Sequence, residues 1–185
     1  MRRRCKAFTL VEMVIVISIL LILLAITIPN YLVMSERAEV DRVAKGIASM
    51  ITEMYEKIDS EMAYYKYFVV INNWAKEIEG KKYLEVKLIK IENNNVITLK
   101  QLVSRRVKLK SISGYKIADQ LLSCITYNNR LLYSIFDVNS EEALTLAPFT
   151  PITYDTMIEV VSISVSNIKK KITIKAIPTG SVVIE

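Results

Sequence analysis

Glu12 is the only charged residue between Phe8 and Ser35, and it directly precedes 17 uncharged residues, Met13 to Pro29. Insertion of a carboxylate at mid-membrane costs about 2.5 to 3.5 kcal/mol, and less near the edge, so a charge kept in such a place calls for a compensating partner. Catalytic groups of the usual kinds are scarce elsewhere. The sequence has no histidine, which removes His-based general bases, Ser-His-Asp triads and most zinc arrangements. Its four glycines, Gly46, Gly80, Gly114 and Gly180, lie at least 34 residues apart, so no phosphate-cradling loop can be built from them. Cys124 falls in an apolar run and reads as a small packed hydrophobe, while Cys5 stands among basic residues at the N-terminus. No disulfide framework is expected. These residues predict no enzyme activity, no cofactor and no metal.

Two further clusters could bind something. In "DVNSEE", Asp137, Asn139 and Glu141 are spaced like the first ligands of a calcium loop. Position six is Glu142 where such a loop needs Gly, and position twelve is Pro148 where it needs Glu, so the stretch reads as a solvated acidic loop. In "SRRVKLKS", Arg106, Lys108 and Lys110 fall on one face of a strand and Val107 and Leu109 on the other. With Lys169, Lys170 and Lys171 they could form a basic patch for DNA. Net charge argues for a merely solvated face: of 25 Lys and Arg, four stand in the first six residues, leaving 21 against 19 acidic residues. The basic balance belongs mostly to the N-terminal tip.

That tip and the apolar run define the first element. At about 1.5 Å per residue, some 20 helical residues cross a hydrocarbon core of roughly 30 Å, so the segment is long enough to span a membrane. "MRRRCK" before it, with Glu36 and Arg37 after it, puts the tip in the cytoplasm and the rest outside by the positive-inside bias. A secretory signal should finish in small residues suited to cleavage, and "AITIPNYLVM" does not. A plain signal anchor fits the length but gives no reason for Glu12.

The stretch "KAFTLVEMVIVISI" resembles the N-terminus of type IV prepilins and pseudopilins, in which a short basic leader ends in a small residue followed by Phe-Thr-Leu-Ile/Val-Glu. Phe8, Thr9, Leu10, Val11 and Glu12 match position by position, and Ala7 stands where the family mostly has Gly. The resemblance implies cleavage between Ala7 and Phe8 by the prepilin peptidase, N-methylation of Phe8, and assembly through the helix start. There Glu12, with Thr9 beside it, would meet the terminal amine of a neighbouring subunit. Pro29, 21 residues after Phe8, falls where the family commonly carries a helix-kinking proline. It also implies other pilin-like subunits and an assembly platform as partners, in a surface pilus, a secretion pseudopilus or a competence pilus.

Beyond Asn30 the chain turns amphipathic. Val40, Val43, Ala44, Ile47, Ile51, Met54, Tyr55, Ile58 and Met62 recur every three or four residues, predicting a helix from Phe8 to about Asp59. Gly46 within it reads as a place of close packing. The aromatic-rich stretch 62–79 is read as further helix, or helix and turn, docked by Tyr65, Phe68 and Trp74. From Gly80 on, period-two runs at 83–91, 96–103, 106–112, 121–127, 131–138, 158–166, 171–177 and 181–185 predict strands. Two antiparallel hairpins are expected, 121–127 with 131–138 and 158–166 with 171–177. The dry faces of the second pair are assigned to Val161, Ile163 and Val165 and to Ile172 and Ile174.

The expected architecture is α+β: a long N-terminal helix, transmembrane then amphipathic, packed on an antiparallel β-sheet head, the pilin-like plan. The segments are 1–7 leader, 8–34 transmembrane and polymerisation helix, 35–79 amphipathic helix and connection, and 80–185 head. The chain would sit in the cytoplasmic membrane with its head outside and pass from there into a filament. The competing reading is a membrane-anchored binding module whose head captures DNA or a surface ligand.

Overall fold

The computed structural model describes residues 9–62, 66–78, 81–93, 95–112, 115–116, 121–127, 131–137, 150–151, 155–175 and 181–185. They fall into two compact units, Met1–Ser35 and Glu36–Glu185. The α-helix α1 (Leu10–Glu61) runs through both and, at 52 residues, has the length the sequence predicts. In the first unit every residue from Leu10 to Met34 is exposed, and the helix is long and apolar enough to cross a membrane. Its few polar side chains are satisfied one turn back: Ser18 Oγ donates to the Val14 carbonyl and Thr27 Oγ1 to that of Leu23, both at 2.8 Å. Such self-satisfaction suits a segment with no water to bond to. The helix is continuous through Pro29.

In the second unit the predicted stripe is buried. Val40, Val43, Ala44, Ile47, Ile51, Met54, Tyr55 and Ile58 all lie in the core, joined by Ala48 and Met50. Met62 departs from the expectation: it is 80% exposed and has φ 47°, a left-handed conformation that ends the helix.

The stripe lies against the inner faces of two antiparallel sheets. Among the described residues the first has the order β3 (Asn95–Ser104), β2 (Lys81–Glu92), β1 (Tyr67–Ile78), β6 (Leu121–Tyr127), β7 (Leu131–Asp137), β8 (Thr150–Pro151). The second runs β11 (Val182–Ile184), β10 (Lys169–Ile174), β9 (Thr156–Ser162), β4 (Val107–Ile112), β5 (Tyr115–Lys116). Tyr67, Val69 and Ile71 of β1, Leu84, Val86 and Leu88 of β2, and Val107, Leu109, Ile158, Val160, Ile172 and Ile174 share one core with the helix. The arrangement is the expected α+β plan, and both predicted hairpins pair antiparallel.

Three expectations are corrected or sharpened. Residues 67–78 form a strand, not further helix. Phe68 and Val70 are buried as well as Tyr67, Val69 and Ile71, so this part of β1 is dry on both faces and reads as an unbroken apolar run, which periodicity cannot distinguish from buried helix. In the hairpin of β9 and β10, Ile172 and Ile174 face the core as expected. On β9 Val161 is buried as expected, but the residues that join the core are Ile158 and Val160 on the other face, and the strand ends at Ser162, leaving Ile163 and Val165 half-buried in the turn. Gly46 is indeed a close approach: a Cβ there would stand 2.9 Å from Leu102 Cδ2 of β3.

The outer face of β1 and β2 is closed too. Glu85 is buried and accepts hydrogen bonds from Asn72 Nδ2 at 3.1 Å and Gln101 Nε2 at 2.6 Å, with Lys87 Nζ at 3.3 Å. Where the two sheets meet, a side chain replaces the backbone ladder. Fully buried Asn73 donates from Nδ2 to the Leu109 carbonyl at 3.0 Å and accepts from the Leu109 N–H at 2.9 Å. Removing the Asn73 amide strands both Leu109 groups, each worth about 1 to 3 kcal/mol when buried and unpaired. Asn73→Ala should therefore destabilise the head by about 2 to 4 kcal/mol in urea titrations of the full chain in detergent. A loss under about 0.5 kcal/mol, the range of neutral surface changes, would show that the seam does not depend on this pair.

Helix start and basic face as candidate functional sites

The two site regions singled out in the sequence lie in different units. At the helix start, Thr9 precedes the first helical residue and Glu12 is the third helical position. Thr9 N–H donates to Glu12 Oε2 at 2.8 Å, Thr9 Oγ1 donates to the same oxygen at 2.9 Å, and Glu12 N–H reaches Thr9 Oγ1 at 3.2 Å. This is a reciprocal capping box, in which two of the orphan donors of a helix N-terminus find partners. The carboxylate also sits at the positive end of the helix dipole. Glu12 is thus hydrogen-bonded within its own chain, where the sequence reading looked for its partner in a neighbouring subunit. The T-x-x-E spacing at 9–12 is the signal that reveals it. Both Thr9 bonds fall on Oε2. Ala7 and Phe8 lie outside the described residues.

In the second unit, Arg106 stands in the turn before β4 and Lys108 and Lys110 on β4, with Val107 and Leu109 buried as expected. A register shift between Leu109 and Ser111 sets Lys110 against β9. Lys110 Nζ lies 3.5 Å and Lys169 Nζ 3.4 Å from the carboxylate of Glu159, which is largely buried. Burial pushes the Glu159 carboxyl up, but the hydrogen bond from Lys169 and the charges of Lys110 and Lys169 outweigh it, so the net shift is downward. Two of the lysines proposed for DNA are therefore already engaged by an acid from the neighbouring strand. Asn139 and Glu141, and the side chains of Asp137 and Cys124, lie outside what is described.

The start of the second unit is fastened by carboxylates of α1. Glu36 Oε2 accepts from Ser162 Oγ at 2.8 Å. Glu39 Oε1 accepts from Ser104 Oγ at 2.7 Å, and Arg42 grips Glu39 with bonds of 2.9 and 2.7 Å while donating to the Val103 carbonyl at 3.1 Å. The Arg42 bond holds the Glu39 carboxyl below its ordinary range against the opposing effect of burial, with Ser104 assisting. Sequence reasoning did not find the contacts to Ser162, Ser104 and Val103, because they join positions more than 60 residues apart.

The chain carries one helix long and apolar enough to cross a membrane and an α+β head, and the helix start bears a further signal. Residues 2–28 match the prokaryotic N-terminal methylation motif, the signature of type IV pilins and pseudopilins. Comparison with curated proteins and with solved structures returns no match.

The Glu159 cluster gives a pH prediction. A carboxyl lowered on folding contributes stability that is complete above the unfolded glutamate value near 4.5 and is lost as pH falls through the folded value. Glu159→Gln should therefore reduce stability at neutral pH, and its deficit relative to the parent should shrink below about pH 4.5. Urea midpoints at pH 7 and pH 3 check this; an undiminished deficit at pH 3 would mean that packing, not charge, accounts for the effect.

Proposed function

We propose that this chain is the precursor of a structural subunit of a type IV pilus-like filament, processed by the prepilin peptidase and assembled through α1. The observation that carries the reading is the methylation motif at residues 2–28 heading a helix whose apolar surface is exposed from Leu10 to Met34. Exposed aliphatic surface of that extent is stable only in lipid or against other copies of itself. Cleavage between Ala7 and Phe8 removes the basic tip, leaves the Thr9–Glu12 capping box intact, and creates an amine at the start of the helix. Methylation of Phe8 keeps that amine cationic. The amine of one subunit then meets Glu12 of the next, which offsets the cost of holding a carboxylate in an apolar surrounding. Pro29 supplies a bending point during the passage from membrane to fibre. The head is a structural exterior in this reading and performs no catalysis.

Intact-mass measurement of native material should show a chain beginning at N-methylated Phe8. Glu12→Ala should still enter the membrane and still be cleaved, while its recovery in sheared filaments falls at least tenfold. Native chains that begin only at Met1 would remove the proposal, as would normal incorporation of the Ala variant.

A further inference from the structure

Glu36, the first residue of the head unit, follows directly on the apolar helix surface, and the residues fastened around it are unusually cationic. Ser162 bonds to Glu36 and Ser104 to Glu39, so the turns that follow those serines gather at this end of the head. The Ile163 N–H donates to the Arg106 carbonyl at 2.9 Å, tying the two turns together. Arg37 and Arg105 are exposed here and form no ion pair among the described residues, and Lys170 is near enough to act on the carboxyl of Asp41. The carboxylates of α1 at the same end are already engaged: Glu36 by Ser162, Glu39 by Arg42 and Asp41 by Lys45. Among the basic residues, half-buried Ile163 and Val165 present apolar surface in a turn that is otherwise Ser and Asn.

Residues Phe8 to Met34 would extend about 40 Å as helix, close to the full thickness of a bilayer with its headgroups. Residue 36 and the turns bonded beside it therefore reach the headgroup layer, well inside the roughly 8 Å over which charges act at physiological salt. The geometry points to a cationic rim, formed by Arg37, Arg105 and Lys170 with the turn at Ile163 and Val165, that docks on anionic phospholipid headgroups while the subunit waits in the membrane. The inference rests on the membrane-anchored reading above. Charge complementarity and continuity with the apolar helix favour lipid over a nucleic acid as the occupant. Each cation near an anionic bilayer surface strengthens attachment roughly fivefold.

The test uses the full chain reconstituted into vesicles of phosphatidylcholine alone or with about one third phosphatidylglycerol, with amide hydrogen exchange read over residues 104–107 and 163–168. Exchange there should be several-fold slower on the anionic vesicles, return to the zwitterionic rate in high salt, and be insensitive to lipid in the Arg37→Gln/Arg105→Gln variant. The Arg37→Lys/Arg105→Lys variant should retain the slowing. Equal exchange on both vesicles, with the chain still floating with lipid, overturns the rim proposal and leaves the anchor standing. Slowing by duplex DNA on zwitterionic vesicles without any effect of phosphatidylglycerol would make the surface a nucleic-acid site and also overturn it. Failure to float with either vesicle would overturn both readings.

Discussion

The buried stripe of α1 is the constraint on which the head depends. A two-sheet head whose inner faces are aliphatic needs a third surface to dry them, and Val40, Val43, Ile47, Ile51, Met54 and Ile58 provide it at helical spacing. Helical stability in a folded protein comes chiefly from such packing rather than from intrinsic propensity, so helix and head are mutually dependent. Gly46 shows how tight the fit is: its missing Cβ makes room for Leu102, and an Ala there would gain roughly 1 kcal/mol of helix propensity only if that leucine could move aside. Upstream of Ser35 the same helix has no such partner among the described residues, and Leu10 to Met34 are all exposed. One continuous helix therefore satisfies two different requirements, and the change from one to the other falls within a few residues of Glu36.

Two sheets sharing one core leave a seam in which backbone groups cannot pair in a ladder. The chain resolves it with side chains that imitate backbone. Asn73 presents an amide to Leu109 in both directions, as a strand neighbour would. At the end of the head beside Glu36, serine hydroxyls at the strand termini reach carboxylates on α1, and Arg42 donates one N–H to the Val103 carbonyl of the edge strand β3. At the other end Tyr67 Oη donates to Glu61 Oε1 at 2.5 Å, with Lys90 Nζ at 3.3 Å from the same carboxylate, so the helix terminus is tied to the first strand pair just where Met62 breaks the helical path.

What was legible followed from whether neighbouring residues share an environment. The stripe of α1 and strands such as 107–112 and 169–174 each have one wet and one dry face, so their periods can be read from residue type alone. The first half of β1 has no wet face: Phe68 and Val70 are buried like Val69 and Ile71, and the period vanished with the exposure that would have revealed it. The Ile163 and Val165 assignment failed differently. Alternation continued in the sequence after the strand had ended at Ser162, where the chain turns: the Ser162 N–H bonds to the Ile168 carbonyl and its hydroxyl to Glu36, across 126 residues. The Glu85 cluster was out of reach for the same reason, since its burial is decided by Asn72 and Gln101 on the flanking strands. The capping box, in contrast, was written in four consecutive residues. It was obscured by the stronger resemblance that the same residues carry.

That overlap bears on how one carboxylate can serve two purposes. An ionised glutamate accepts through two oxygens, with about four lone-pair sites between them. Thr9 contributes two bonds, and both end on Oε2. A cationic amine arriving from another helix would therefore find Oε1 unoccupied by the cap and need not break it. Nor would the unassembled subunit carry a bare anion in the apolar layer, because two donors are already in place. An aspartate in position 12 would be a poorer substitute than charge alone suggests, because its side chain is one methylene shorter and reaches less far back toward the Thr9 N–H. The third helical position thus favours the longer acid for a reason of reach, and any neighbour that docks there meets a carboxylate whose orientation is already fixed by its own helix.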